Sequence, residues 1–296
     1  EIRSTPKDSP IGYFIECDLE YPEDIKSGTR HFPLAPIRRK INVQELASWQ
    51  IAQDKPPTTK LLCDQTDREY YLCHYRLLQF YILQGMKVKK VHSVIRFKQA
   101  AFMKPFIEEN IRCRNIAKRE GNLLKDNGYK LLNNSVFGKT MENVDKYTNI
   151  ELLTNSEKDV ARYNRMLGKP TFKNAQVFSE NLTAVELQNF EKTYNKPIFI
   201  GFAILELSKL QMYETYYNIL QPIYGSNIAM HAMDTDSMFL TIRTHDLQSD
   251  ISENPILSNL INSSGELFSF KDEKPFTPIE NGIFIRAKQY SYETFT

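Results

Sequence analysis

Hydrophobic and polar positions along the chain change period several times, and each change marks a predicted element. Residues 11–22 alternate with period two: Tyr13, Ile15, Cys17 and Leu19 face one way, Glu16, Asp18 and Glu20 mostly the other. That is a half-buried strand ended by Pro22. Residues 23–60 lose the alternation and are rich in Pro, Arg and Thr. They read as a long connection with little regular structure, with Pro56-Pro57-Thr58-Thr59 marking a loop. Residues 68–84 read as a helix dense in Tyr and Leu, stopped at Gly85. Its rings Tyr70, Tyr71, Tyr75, Phe80 and Tyr81 are assigned to the core rather than to base stacking. Met86 to Phe97 is a strand with lysines on one side.

A helix is predicted from about Lys104 to Asp126, with Pro105 in its first turn, and a second from Tyr129 to Asn143 across a break at Asn127-Gly128. The middle, 150–195, carries a short strand, a helix near 156–167 and strands around 171–187. Residues 197–204 read as a strand. A helix follows to about Leu220, with Leu207, Met212, Tyr216 and Ile219 as its buried stripe. Two apolar runs, Ile228 to Met230 and Phe239 to Ile242, flank a tight polar link and read as a hairpin. Residues 245–270 look like a polar insertion with one helix, and Gly282 to Tyr292 alternates again as a strand. No internal repeat and no low-complexity segment interrupts this series. The mixture predicts an α+β fold.

Composition narrows the class. A chain of 296 residues suggests about two domains or one large one. Hydrophobic residues at 41% and charged residues at 25% are the balance of a globular protein. No apolar run approaches the roughly 18 residues of a membrane span, and residues 1–10 are polar, with no apolar signal segment. The chain opens on Glu rather than Met, as expected of a piece of something longer. Net charge is +2, but its distribution is uneven. Residues 87–98 carry Lys87, Lys89, Lys90, Arg96 and Lys98 with no acid. Residues 112–130 carry Arg112, Arg114, Lys118, Arg119, Lys125 and Lys130 against Glu120 and Asp126. Local basic faces suit phosphate, although a charge run is commonly a solvated face. Cys17, Cys63, Cys73 and Cys113 have no C-x-x-C spacing and read as reduced thiols.

Chemistry gathers at two places. The first is Met233-Asp234-Thr235-Asp236-Ser237-Met238, at the tip of the predicted hairpin. Two carboxylates brought to one exposed spot repel each other, so such a pair usually waits for a cation. Hard oxygen ligands in a small site suit Mg²⁺ or Mn²⁺. The same residues are also ordinary turn formers, because Asp and Ser side chains bond their own backbone. The second place is Lys130 to Lys139. On a helix Lys130, Asn134 and Phe137 share one face, a cation, an amide and a ring that could meet a triphosphate, a sugar and a base. The plainer reading is a solvated Lys beside a helix cap and a buried Phe. Lys118, Asn122 and Asp126 repeat the spacing further back, if the helix is continuous.

Lys130…Asn134-Ser135-Val136-Phe137-Gly138 resembles the fingers motif of family B DNA polymerases, of the form K-x3-N-S-x-[YF]-G. Asp234-Thr235-Asp236-Ser237 resembles their palm motif DTDS, and Lys288-Gln289-Tyr290 the K-x-Y motif found downstream in the protein-primed branch. The three occur in the family's order, and the resemblance covers nearly the whole chain from about Gly12. The wording at 138–143, Gly-Lys-Thr-Met-Glu-Asn, is similar to polymerases of Polinton (Maverick) transposons and related virus-like elements.

The resemblance implies template-directed transfer of nucleotides to a primer 3′-hydroxyl by two divalent ions, Mg²⁺ or Mn²⁺. Under it, Asp236 is a direct metal ligand with Asp234 beside it. Lys130 pairs with the incoming phosphates, and Asn134 and Phe137 line the nucleotide pocket. Gly138, without a Cβ, permits close packing on the nascent base pair. Lys288 and Tyr290 hold the primer terminus, and Lys118 is a further phosphate contact. It also implies an antiparallel palm sheet with helices on one face, including 228–242 and 282–293, and helical fingers. The expected division is 1–100 for the palm-proximal strand and a branch-specific insertion, 101–149 for the fingers, and 150–296 for the palm. Expected partners are DNA template and primer, dNTPs and a terminal priming protein. No membrane and no oligomer is expected, and replication would be nuclear if the element is a eukaryotic transposon.

One departure matters. The family needs a further Asp, in an upstream motif of the form D-x-x-[SN]-L-Y whose Tyr also gates against ribose. With Tyr21 aligned to that Tyr, Glu16 falls where the Asp belongs; with Asp18 aligned to the Asp, no Tyr follows at the right distance. The segment is therefore expected to be the strand after the motif. The Asp would lie before residue 1, and the chain would be the C-terminal part of a polymerase without its exonuclease. A degenerate motif carrying Glu16 is the alternative. Ala232-Met233 also replaces the more usual aromatic-small pair before Asp234. The rival function is a catalytically inactive, transposon-derived nucleic-acid-binding protein, motivated by the two basic runs.

Overall fold

A computed structural model describes residues 2–52, 58–189, 191–262, 267–274, 277–286 and 288–294. The first alternating stretch is strand β1 (Ile11–Glu20). It is followed by α1 (Glu23–Lys26), β2 (Ile37–Lys40), α2 (Ser48–Ile51) and β3 (Thr59–Leu62). β2 and β3 pair antiparallel, so the stretch expected as an irregular connection carries a hairpin. Pro56 and Pro57 of the predicted loop lie outside the described residues. The single helix expected at 68–84 is two elements, β4 (Arg68–His74) and α3 (Tyr75–Leu83). Pairing with β1 overrides local propensity here, and it carries Tyr71 and Cys73 into the core. Gly85, at φ +99°, ends α3 where the sequence places the stop.

Next come β5 (Lys87–Lys98), α4 (Lys104–Arg119) and α5 (Leu123–Thr140). The helix break falls at Gly121, φ +67°, not at Asn127-Gly128. Asn122 N closes α4 on Ala117 O at 2.8 Å, and Asn122 Oδ1 accepts from Lys125 N at 3.1 Å to open α5. Lys118, Asn122 and Asp126 therefore do not share one helix. Arg114 Nε instead bonds Asp126 Oδ1 across the turn at 2.6 Å.

The middle follows the predicted order: β6 (Asn149–Leu153), α6 (Glu157–Leu167), β7 (Phe172–Ser179) and β8 (Leu182–Leu187). The strand expected at 197–204 is instead the start of α7 (Ile198–Glu214), which runs into a π-helical turn, Thr215–Leu220, and α8 (Gln221–Tyr224). The hairpin forms as β9 (Ile228–Asp234) and β10 (Ser237–Ile242). The insertion holds two helices rather than one, α9 (Leu247–Glu253) and α10 (Pro255–Leu260), each capped by its own side chain, Asp246 and Asn254. The closing strand is a hairpin, β11 (Ile279–Arg286) and β12 (Gln289–Thr294), turned at Lys288, φ +63°.

The strands form three-stranded sheets β4-β1-β5 and β6-β8-β7 and three separate hairpins. Among the described residues β9-β10 and β11-β12 are not hydrogen-bonded into the one sheet expected for the palm. The chain divides into two compact units, Glu1–Asp126 with Ala203–Thr296, and Asn127–Phe202. In the larger unit, one face of β4-β1-β5 is covered by α3 and by residues 210–220, with Ile228, Met230, Leu257 and Leu260 in the same core. Phe32, stacked on Tyr213 at 4.3 Å, extends this core, and Tyr213 and Tyr217 donate their hydroxyls to Pro33 O and Phe32 O. In the smaller unit α6 packs on β6-β8-β7 through Leu153, Met166, Val185 and Leu187. There Gly201 lets the first turn of α7 cross the end of α5: a Cβ at this position would collide with Met141 and Thr140.

His74 joins β4 to α3. It is buried, its N–H donates to Glu206 Oε2 at 3.2 Å, and its Nδ1 accepts from Arg76 N. Burial, with Arg76 adding to it, pushes the imidazole down to about 4. The folded state thus holds it neutral while the unfolded chain takes up a proton near pH 6.5. Stability should fall as pH drops from about 6.5 to about 4, by up to roughly 3 kcal/mol. His74→Asn keeps a capping acceptor without the titration. Urea midpoints across that range should separate the variant from the parent if His74 is the cause.

Candidate active site

Ser237 pairs with Asp234, so Thr235 and Asp236 alone join β9 to β10. Asp236 N donates to Asp234 O at 2.6 Å across Thr235, which sits at φ +58°. This is a γ-turn with positive φ on a β-branched residue, a strained conformation. Ser237 Oγ adds a 3.4 Å bond to the same carbonyl. The link is a turn, but not a relaxed Asx turn. Asp234 accepts from Thr235 Oγ1 at 3.3 Å and from Lys288, and among the described residues neither carboxylate takes a backbone N–H. The strain holds both carboxylates at one tip without spending them on the backbone.

Lys288 Nζ lies on Asp234 Oδ1, and that bond, the largest cause, raises the lysine pKa above its ordinary value. Below the tip, Phe239 of β10 meets Phe284, Tyr290 and Tyr292 of the second hairpin, with centroids at 5.1, 4.8 and 6.1 Å. Phe284 also stacks on His231 of β9. Aromatic packing thus joins the two hairpins and carries Lys288 to the carboxylates. Asp234, Asp236, Lys288 and Tyr290, far apart in sequence, meet here. The Lys288–Asp234 pair is not legible from the motifs singly; the alternating rings at 284, 290 and 292 were the available signal.

The donor set fits part of a site for a hard divalent ion: carboxylate oxygens on an exposed tip. Among the described residues no group of three or more His, Cys, Asp or Glu is placed to hold a metal. Asp18 is engaged elsewhere, by Tyr70 N at 2.9 Å and His92 Nε2 at 2.7 Å, and Glu16 accepts from Ser93 Oγ at 3.2 Å. Buried Tyr21 shares its hydroxyl with Thr29 Oγ1 and Leu34 N, so it does not face a sugar.

In the smaller unit α5 carries Lys130, Asn134, Phe137 and Gly138 on one continuous helix. Lys130 and Asn134 are exposed, and among the described residues their side chains have no hydrogen-bond or ion-pair partner. Phe137 is half-buried, and a Cβ at Gly138 would meet nothing within 4 Å. The face is open, with cation, amide and ring at one-turn intervals. Lys118 is exposed on α4, off this helix.

Residues 6–222 match the family of DNA polymerase type B, organellar and viral. The matched span includes α5 and ends before the hairpin of Asp234 and Asp236. No curated protein and no solved structure matches the chain.

Proposed function

The chain belongs to the type B DNA polymerases of organellar and viral type, and from that premise we propose that it carries the nucleotide-binding fingers and the metal-binding hairpin of a protein-primed polymerase. The family implies DNA and nucleotide substrates. The observation that carries the reading is the tip of β9-β10, where a γ-turn fixes two carboxylates and Lys288 sits on one of them. Bound Mg²⁺ or Mn²⁺ would activate the primer 3′-hydroxyl and neutralise the leaving pyrophosphate. Asp236, whose carboxylate makes no hydrogen bond or close ion pair among the described residues, would be the first ligand. Asp234 would join it as Lys288 moves to the primer terminus, beside Tyr290. On α5, Lys130 would take the triphosphate, Asn134 and Phe137 would line the nucleotide pocket, and the open face at Gly138 would admit the base pair. Among the described residues no third carboxylate stands with the tip to complete a two-ion site, and an upstream segment is its proposed source. Polinton-like elements with a terminal priming protein are the proposed context.

Primer extension with Mg²⁺ or Mn²⁺ tests this, using the chain alone and the chain joined to the segment encoded upstream. Extension by the joined protein alone supports the reading. Extension by the 296 residues alone would place the third acid inside them. A folded protein inactive in both forms would favour the rival, a nucleic-acid-binding protein without catalysis, which the basic stretches at 87–98 and 112–130 motivate. Lys130→Ala should weaken dNTP binding about 10- to 100-fold, the loss of one charge-assisted contact. Unchanged affinity in a calorimetric titration would remove Lys130 from the site.

A further inference from the structure

Tyr70 stands where the fold calls for glycine. Between the pairs Cys17–Tyr71 and Leu19–Arg68, two residues of β4, Glu69 and Tyr70, oppose one residue of β1, Asp18. The bulge places Tyr70 at φ +49°, in the left-handed region that favours glycine. Three contacts hold the ring there. Tyr70 N donates to Asp18 Oδ1 at 2.9 Å, and the same oxygen bonds His92 Nε2 at 2.7 Å. The His92 ring then stacks on Tyr70, with centroids 4.0 Å apart and planes inclined by 20°. His92 is itself bulged out of the β1-β5 ladder, between the pairs of Val91 and Ser93. Two bulges on opposite sides of β1 converge on one stack. Asp18 and His92 keep 22% and 12% of their side chains exposed, whereas Tyr70 is 63% exposed. The sequence assigned this ring to the core; the bulge turns it outward.

Charges of both signs surround the stack. Lys90 pairs with Asp18 in the ladder and so lies on the same side of the sheet. Lys87 and Lys89 lean towards Glu20, and Lys89 also bonds Asp67 at 2.8 Å. Lys90 makes no ion pair among the described residues, whereas Arg96 and Lys98 pair with Tyr13 and Ile11 in the ladder and so lie on the opposite face. Exposed Leu72 and Ile95 share the outer face, and Glu16 and Glu69 are its other acids.

We propose that this face binds single-stranded DNA, with an unpaired base stacked on Tyr70 and one backbone phosphate on Lys90. A strained backbone persists where its surroundings over-determine it, and such positions cluster at functional sites. A ring held flat and open, with Lys90 unpaired beside it, offers what an unpaired base needs, and stacking tolerates any sequence because every base has a π face. A duplex keeps its base faces stacked internally, and an acidic peptide would need the cations without the immobilised ring. The polymerase family reading supplies only the choice of DNA; none of the residues assigned to nucleotidyl transfer is used.

The test is fluorescence anisotropy with a labelled oligo-dT of about 16 nucleotides, in EDTA without nucleotide. Tyr70→Gly removes the ring and relieves the positive φ together. It should raise Kd about 5- to 100-fold while melting no lower than the parent. Tyr70→Phe should bind as the parent does. Lys90→Ala should reduce the slope of log K against log salt by about 0.7. Equal binding by Tyr70→Gly and the parent would overturn the proposal, as would preference for duplex over oligo-dT. So would competition by poly-glutamate that is indifferent to Tyr70. Ring-dependent binding by a protein that fails in primer extension would leave this proposal standing and count against the catalytic reading alone.

Discussion

Arg68→Met is expected to lower stability by roughly 3–5 kcal/mol, the range for breaking a buried charged pair by removing one partner. Arg68 is fully buried at the start of β4. Its Nε donates to Ala35 O at 2.6 Å, Nη2 to Asp64 O at 2.6 Å, and Nη1 to Thr66 O and Oγ1 at 2.6 and 2.7 Å. Nη1 also lies 2.7 Å from Asp64 Oδ1. The guanidinium therefore holds two loops together, including Ala35, which sits at φ +51° without being glycine. Methionine fills the volume and supplies no donor, so the carbonyls of Ala35, Asp64, Thr66 and Asp67 lose this donor at once, and Asp64 is left with Arg39 as its counter-charge. Arg68→Lys should recover little, because an ammonium cannot span carbonyls on both loops. Adding Asp64→Asn to Arg68→Met should restore little, because Arg39 Nη2 still pairs with Asp64 Oδ2 at 3.1 Å and leaves no orphaned charge. A urea midpoint shifted by less than about 1 kcal/mol for Arg68→Met would show that the loops hold without the clamp.

The elements that the sequence reveals are those whose local pattern and tertiary environment agree. β1 alternates because one face is core, and the hairpin of β9-β10 is bracketed by two apolar runs. Where they disagree, pairing wins. Residues 68–74 have the Tyr and Leu content of a helix but become a strand because β1 offers an unpaired edge beside them. Residues 198–204 are apolar and β-branched enough to read as a strand, yet Gly201 makes them the close-packed start of a helix. The break between α4 and α5 follows the glycine that reaches φ +67°, Gly121, and passes over Gly128, which stays helical. A glycine signals permission for a turn, and only the surrounding hydrogen bonds decide whether it is used.

The candidate chemistry was legible as motifs and illegible as strain. Thr235, Lys288, Tyr70 and Ala35 all have positive φ, and none is glycine. Thr235 and Lys288 flank the carboxylate tip, Tyr70 carries the exposed ring, and Ala35 hands its carbonyl to Arg68. A sequence reader expects glycine at such positions, so each looks like an ordinary residue until its neighbours are known. Local rules are broken here at the places where the chain presents charge or a ring, which is where a fold can absorb strain for function.

Asp236→Asn, in the protein joined to its upstream segment, should reduce primer extension by at least about 10²–10³-fold, the scale for losing one preorganised charge-stabilising group. The amide keeps the size and loses the anion, and a hard divalent ion depends on anionic oxygen. Asp236 is the sensitive member because Asp234 is bonded to Lys288, leaving Asp236 as the carboxylate of the tip with no hydrogen bond or close ion pair among the described residues. Lys288→Ala should act in two opposed directions. It frees Asp234 from its counter-charge, so Mn²⁺ should bind the tip more tightly. It also removes the cation proposed for the primer terminus, so extension should fall. A structural role alone would weaken both readouts together, through loss of the packing that joins the hairpins. Extension by Asp236→Asn within tenfold of the parent would sink the metal role of the tip, and a Lys288→Ala protein that binds Mn²⁺ more weakly would show that Lys288 orders the carboxylates rather than competing for them.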